Sequence, residues 1–266
     1  MDREMGDTIQ HHPDVMRLLS GMRAEIEAMR GIMVYSAAAN DLAKSKLDDS
    51  TFWASRSELM IPILKGWLTE RSVSIASDGV QVHGGMGFIE ETGAAQHYRD
   101  ARIMPMYEGT SAIQANDLVF RKTLRDQGVG VRALVADVRA TADELSANDG
   151  AIGTSAQALA QAAQAADDAI GAILTGGLSM RESGAVSVPL LMMLGTLCGG
   201  WMTLQSAQAA QEQKDSGKWD ATFLDAKIAY AQVFATQSLP QVDRYSRTIM
   251  AGGKAVEAVT PEMLWA

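Results

Sequence analysis

The run His12-Pro13-Asp14-Val15-Met16-Arg17-Leu18-Leu19-Ser20-Gly21-Met22-Arg23-Ala24-Glu25-Ile26 is helical in its spacing, and it sets the class of the whole chain. Pro13 stands at a first helical position, where its missing N–H costs nothing. Val15, Leu18, Leu19, Met22, Ile26, Met29 and Met33 then recur at i, i+3, i+4, i+7, the stripe of a core-facing helix that is predicted to run to about residue 45. Cap-type residues at 48–51 precede a second long pattern, with Leu59, Ile63, Leu64, Trp67, Leu68 and Val73 expected inside and a glycine bend at 79–87 ending it. Shorter helices are predicted over 92–103 and 110–124. Gln127-Gly128-Val129-Gly130 reads as a linker, after which the composition turns to Ala, Gln and Asp. Helical stretches follow over 131–147, 151–174, 179–214 and 219–250, separated by Asn148-Asp149-Gly150, Gly176-Gly177 and Asp215-Ser216-Gly217. Strand signals are scarce. The expected fold is all-α, with one bundle over 1–126 and a second over 131–266.

Composition narrows the function classes. A 266-residue chain that is 47% hydrophobic can bury a sizeable core. A net charge of −9 argues against a nucleic-acid surface, and Arg99, Arg102, Arg121, Lys122 and Arg125 read as a solvated or intersubunit face, or as contacts for phosphates. One cysteine excludes an internal disulfide framework and fits a reducing cytoplasm. The apolar run at 186–193 is too short for a membrane span, and no signal peptide is read. His11, His12, His83 and His97 lack the spacing of a metal-ligand set, and no G-x-S-x-G elbow supports nucleophilic hydrolysis.

Two clusters carry chemistry. In Met104-Pro105-Met106-Tyr107-Glu108-Gly109-Thr110-Ser111, one carboxylate sits between apolar residues and a helix start. Buried by Met106 and Tyr107, Glu108 would resist ionising and become a base near neutral pH; alternatively it is only a favourable charge at the positive end of a helix dipole. Gly109 lets a ligand reach the backbone, and Thr110 and Ser111 are N-cap types whose hydroxyls and free N–H groups could meet an anion. Upstream, Gln81-Val82-His83-Gly84-Gly85-Met86-Gly87-Phe88 permits backbone conformations that other residues resist, so a cofactor could lie against it. It fits neither the dinucleotide fingerprint nor a Walker loop, and a helix C-cap with a turn is the plainer reading.

Together with the His12-Pro13-Asp14-Val15 helix start and Arg99-Asp100-Ala101-Arg102-Ile103, these clusters resemble the C-terminal part of the acyl-CoA dehydrogenase family. The resemblance implies a four-helix-bundle catalytic domain over 1–126, and the segment 131–266 looks like the extra helical domain of larger bacterial members, among them enzymes resembling 3-(methylthio)propanoyl-CoA dehydrogenases. It implies a flavoprotein that oxidises an acyl-CoA thioester to the trans-2-enoyl-CoA. Glu108 matches the family's base for the α proton, its backbone N–H polarises the thioester carbonyl, and hydride leaves the β carbon for flavin N5. Gly109 lies at the substrate. Gln81, Val82, His83, Gly84 and Gly85 match contacts to the ADP half of FAD in a neighbouring subunit, and Thr110, Ser111 and Ala112 match cofactor contacts after the base. The implied assembly is a homodimer or homotetramer that hands electrons to an electron-transferring flavoprotein. The family's N-terminal helical and middle β domains have no counterpart among these residues. The expectation is a truncated gene, a fragment or one half of a split enzyme, opening at Met1-Asp2-Arg3-Glu4-Met5, that needs those domains for turnover. The alternative is a non-catalytic helical assembly or binding module of the same descent.

Overall fold

The computed structural model describes residues 8–46 and 48–266; the opening Met1–Met5 segment lies outside them. Among the described residues every regular element is helical. In chain order the α-helices are α1 (Pro13–Ala43), α2 (Ser50–Val82), α3 (Gly85–Phe88), α4 (Ala94–Ile103), α5 (Ser111–Asn116), α6 (Val129–Leu145), α7 (Gly150–Thr175), α8 (Met180–Ala185), α9 (Ser187–Gln213), α10 (Ala221–Gln237), α11 (Pro240–Ala251) and α12 (Lys254–Glu257).

The two long helices expected at the start are present, and the short connection after Ala43 folds them into a hairpin. The predicted stripe of α1 is only half-buried, and Met33 is exposed. Its fully buried apolar side is instead Ala24, Ala28, Ile32 and Ala39, and the alanines let α9 approach closely. A Cβ on Gly31 would sit 2.6 Å from the Cβ of Met202, and one on Gly199 would meet Ala28 at 3.2 Å. In α2 the expected Leu59, Ile63, Trp67 and Leu68 are buried.

Two predicted stretches are broken. The segment 179–214 divides at Val186 into α8 and α9, with a capping box at Ser179 and Glu182 that starts α8 separately. The segment 219–250 divides at Ser238–Leu239, because Pro240 has no N–H to continue the ladder and opens α11 instead. The stretch predicted over 110–124 changes pitch: α5 passes into a π-helix at Asp117–Leu124, where the Thr123 hydroxyl donates to the Leu118 carbonyl at 2.9 Å.

At the centre lies α9, packed against α1, α2, α5, α7, α10 and α11. It is long and apolar enough to cross a membrane by length and composition, an apolarity that extends well beyond residues 186–193. Burial accounts for it, since 89% of its most apolar window is inside the protein. Met192, Met193, Leu194, Leu197 and Trp201, expected as core, are all buried there. One apolar cluster runs without interruption from Ala24 to Ile249, so the segments before and after the turn at Gln127–Gly128 share a core. Polar ties cross the same boundary. Arg71 grips the buried Glu25 with two hydrogen bonds of 2.6 and 2.7 Å, and Ser238 donates to that carboxylate at 3.1 Å. Arg56, 3% exposed, donates to Tyr35 on α1 and Asp137 on α6 at 2.7 Å each.

Candidate functional site

The loop after α4 forms because Pro105 cannot donate the next helical hydrogen bond. Met106 and Tyr107 donate back to the Ile103 carbonyl at 3.0 and 3.2 Å, and the chain then turns through left-handed geometry at Glu108 (φ 51°) and Gly109 (φ 96°). Glycine adopts this freely, and the positive φ rather than crowding favours it at 109, since a Cβ there would meet at 2.9 Å only Nε2 of Gln114, the end of a flexible side chain. For Glu108 the conformation is strained. Thr110 caps α5 by accepting from the Ile113 N–H at 3.4 Å, and the Ser111 N–H closes the loop onto the Pro105 carbonyl at 3.1 Å.

The middle of α2 holds this loop from below. Lys65 Nζ donates to the Met104 carbonyl at 2.6 Å and lies 4.9 Å from the Tyr107 ring centre. Ser72 contacts the Met104 sulfur at 3.7 Å, and the Ser111 hydroxyl donates to the Glu70 carboxylate. None of these three α2 residues stood out in the sequence. The signal available was a polar row, Lys65, Thr69 and Ser72, at helical spacing inside an otherwise apolar stretch.

The apolar shielding expected for Glu108 is not supplied by its neighbours. Met106 and Tyr107 are 46% and 51% exposed, and Glu108 is exposed with them, because successive side chains on the loop diverge. Among the described residues the Glu108 carboxylate has no hydrogen-bond or ion-pair partner, and the N–H groups of Glu108 and Gly109 donate to nothing. The loop therefore presents an unpaired carboxylate and unused backbone donors at one exposed point. Ser111 is half-buried and Ala112 exposed at the start of α5.

The glycine cluster lies elsewhere on the same helix. Val82 ends α2, the His83 Nδ1–H donates to the Gly79 carbonyl at 2.8 Å, and Gly84 turns the chain at φ 61°. A Cβ at Gly84 or Gly85 would enter open space, so both leave backbone accessible to a ligand. Gly87 is different: a Cβ there would come within 2.3 Å of the Val80 carbonyl, so its role is packing. Beside it opens a cavity of about 690 Å³ walled by Val80, Phe88, Ile89, Tyr98, Arg99 and Arg102, with Phe88 itself 82% exposed. From Glu70, which touches the loop, to Gln81 is a rise of roughly 16 Å along α2 at 1.5 Å per residue. One chain thus separates the Glu108 loop from the Gln81–Gly85 bend.

Comparisons with known proteins cover both parts of the chain. Residues 2–122 match the family model described as acyl-CoA dehydrogenase, C-terminal domain, and residues 134–260 match that described as acetyl-CoA dehydrogenase C-terminal like. The chain is 46% identical over 253 residues to the 3-methylmercaptopropionyl-CoA dehydrogenase of Ruegeria pomeroyi, covering 94% of this chain and 43% of that protein. It is 34% identical to the broad-specificity linear acyl-CoA dehydrogenase FadE5 of Mycobacterium tuberculosis, covering 88% and 40%. The chain thus spans about two fifths of the length of these curated relatives. In fold it is similar to a Bacillus anthracis acyl-CoA dehydrogenase complexed with FAD, with a TM-score of 0.71 at 16% identity over 99% of this chain and 45% of that one. Caenorhabditis elegans ACDH-11 in complex with C11-CoA gives 0.72 at 18% identity, covering 98% and 42%.

Proposed function

Since this chain belongs to the acyl-CoA dehydrogenase family, carrying its C-terminal helical domains, we propose that it supplies the base and part of the flavin site for α,β-dehydrogenation of an acyl-CoA thioester to the 2-enoyl-CoA. The observation that carries the reading is the Glu108 loop: a non-glycine residue held at φ 51°, with both its carboxylate and its N–H unpaired among the described residues. Strain kept at a residue that gains no contact from it is characteristic of a reactive position.

In the mechanism, the Glu108 carboxylate takes the α proton, and the Glu108 N–H donates to the thioester carbonyl, stabilising the negative charge that develops on its oxygen. Gly109 leaves room for the thioester beside the backbone. FAD, when bound, supplies at N5 the acceptor for the hydride that leaves the β carbon. Thr110, Ser111 and Ala112 would contact that cofactor after the base, while Gln81, Val82, His83, Gly84 and Gly85 would hold the ADP half of FAD in a neighbouring copy of the chain. The separation of the two clusters along α2 and the open backbone at Gly84 and Gly85 support that division. The exposure of Glu108 supports a site closed by other protein, since a base in water lacks the desolvation that tunes it. Acyl-CoA as substrate, a homo-oligomer as the working form, a cytoplasmic setting, and electron-transferring flavoprotein as acceptor belong to the same proposal.

The test uses the purified chain, alone and with a co-expressed N-terminal half from a relative. Each is incubated with FAD, passed through gel filtration and scanned in the visible before and after acyl-CoA is added. Bound flavin that bleaches with acyl-CoA, and stays bound but unbleached in Glu108→Gln, is the expected result. A variant that bleaches at the parent rate would refute the role of Glu108. Stable oligomers that hold no flavin in either preparation favour the non-catalytic assembly module.

A further inference from the structure

We propose that Lys65 and Glu70 of α2 are positioning residues that clamp the Glu108 loop in its left-handed geometry, an inference that rests on the reading of Glu108 as the base. The two side chains are of opposite charge and stand five residues apart on one helix, and neither forms an ion pair among the described residues. Each spends its charge on a neutral group of the loop instead. Lys65 donates to the Met104 carbonyl at the loop's entry, and Glu70 accepts from the Ser111 hydroxyl at its exit. Glu108 lies between these anchors. Hydrogen bonds with one charged partner are the stronger kind, and that of Glu70 is part-buried, which weakens competition from water there.

The clamp answers a specific need. Among the described residues Glu108 and Gly109 make no hydrogen bonds of their own, and a left-handed glutamate relaxes unless its surroundings over-determine it. The loop's internal bonds, Met106 and Tyr107 to Ile103 and Ser111 to Pro105, tie it only to itself and to the end of α4. Lys65 and Glu70 fix it to the long helix whose Trp67 is 1% exposed in the core. A second consequence concerns Ser111. Its one hydroxyl proton is committed to Glu70, so towards a ligand this oxygen can only accept.

Hydrogen exchange of the chain, read by peptide mass, tests the clamp without turnover. In Lys65→Met and Glu70→Ala, the amides of Met106, Tyr107 and Ser111 should exchange roughly tenfold faster, the factor matching about 1.4 kcal/mol for one charge-assisted hydrogen bond. Amides of α9 should be unchanged. Lys65→Arg and Glu70→Gln, which keep a donor and an acceptor, should restore most of the protection. If Glu70→Ala loosens α9 as well, Lys65→Met decides. Unchanged exchange at the three loop amides in Lys65→Met and Glu70→Ala overturns the proposal. In an enzyme completed with the N-terminal half, both variants should lower kcat while leaving KM for acyl-CoA near the parent value. Faster loop exchange with unchanged kcat would overturn the positioning role of Lys65 and Glu70, while the role of Glu108 is decided separately by Glu108→Gln.

Discussion

Replacing Glu108 by glycine should stabilise the chain while removing its proposed base. The left-handed conformation costs a residue bearing a Cβ about 1–2 kcal/mol, and glycine escapes that cost. Glycine's freer unfolded chain takes back roughly 0.5–1 kcal/mol. The glutamate side chain has no hydrogen bond or ion pair among the described residues to lose, so the balance is a gain of about 0.5–1 kcal/mol. For a chain of this size that is a rise of roughly 1–4 °C in Tm. Gln127→Gly is the matched control, because Gln127 is left-handed too (φ 57°) but sits in the turn after the π-helix, away from the proposed site. Thermal unfolding followed by circular dichroism should show both variants raised, and the completed enzyme should lose flavin bleaching only in Glu108→Gly. A Tm that falls in Glu108→Gly while rising in Gln127→Gly would refute the reasoning, since it would show that the Glu108 side chain stabilises the loop.

Gly195→Ala should lower stability by about 1–3 kcal/mol, because its Cβ would lie 2.2 Å from Cγ of Trp67, whose Nε1–H is tied to Thr196 at 3.1 Å. Gly21→Ala, with nothing within 4 Å, should instead raise it by about 0.5–1 kcal/mol in the same denaturant titration. Burial pushes the Glu27 carboxyl up, but Lys227, Arg23 and Arg30 outweigh it and hold the group below its ordinary 4.5. Its stabilisation is therefore present above that value and lost as pH falls through the lower folded one, so Tm of Lys227→Met should decline less steeply over that acid range than Tm of the parent. Burial pushes the Cys198 thiol up to about 12, so a thiol reagent at about pH 8 should label it only after guanidinium unfolding; rapid labelling of the folded chain would contradict the packing of α9.

Period and composition were enough to read α1, α2 and the all-helical class, because a helix buried on one side writes that side into its own spacing. They failed where the information is not local. The break at Val186 separates a capped short helix from one buried nearly all round, and neither shows a change of period. The inner side of α1 is alanine because α9 presses on it, whereas the larger residues predicted to face inward stay at the margin. The same distinction governs the site. Glu108, Gly109 and Thr110 could be picked out from neighbouring residues, since a carboxylate, a glycine and a cap in succession have local meaning. Lys65 and Glu70 could not, because their partners lie some forty residues away and become visible only when α4 folds back on α2. The long helix thereby takes on two tasks at separate places: its middle fixes the geometry of the loop, and its end opens into the glycine bend. A rigid, deeply anchored helix suits both, since the position of a reactive group is only as well defined as the element that carries it.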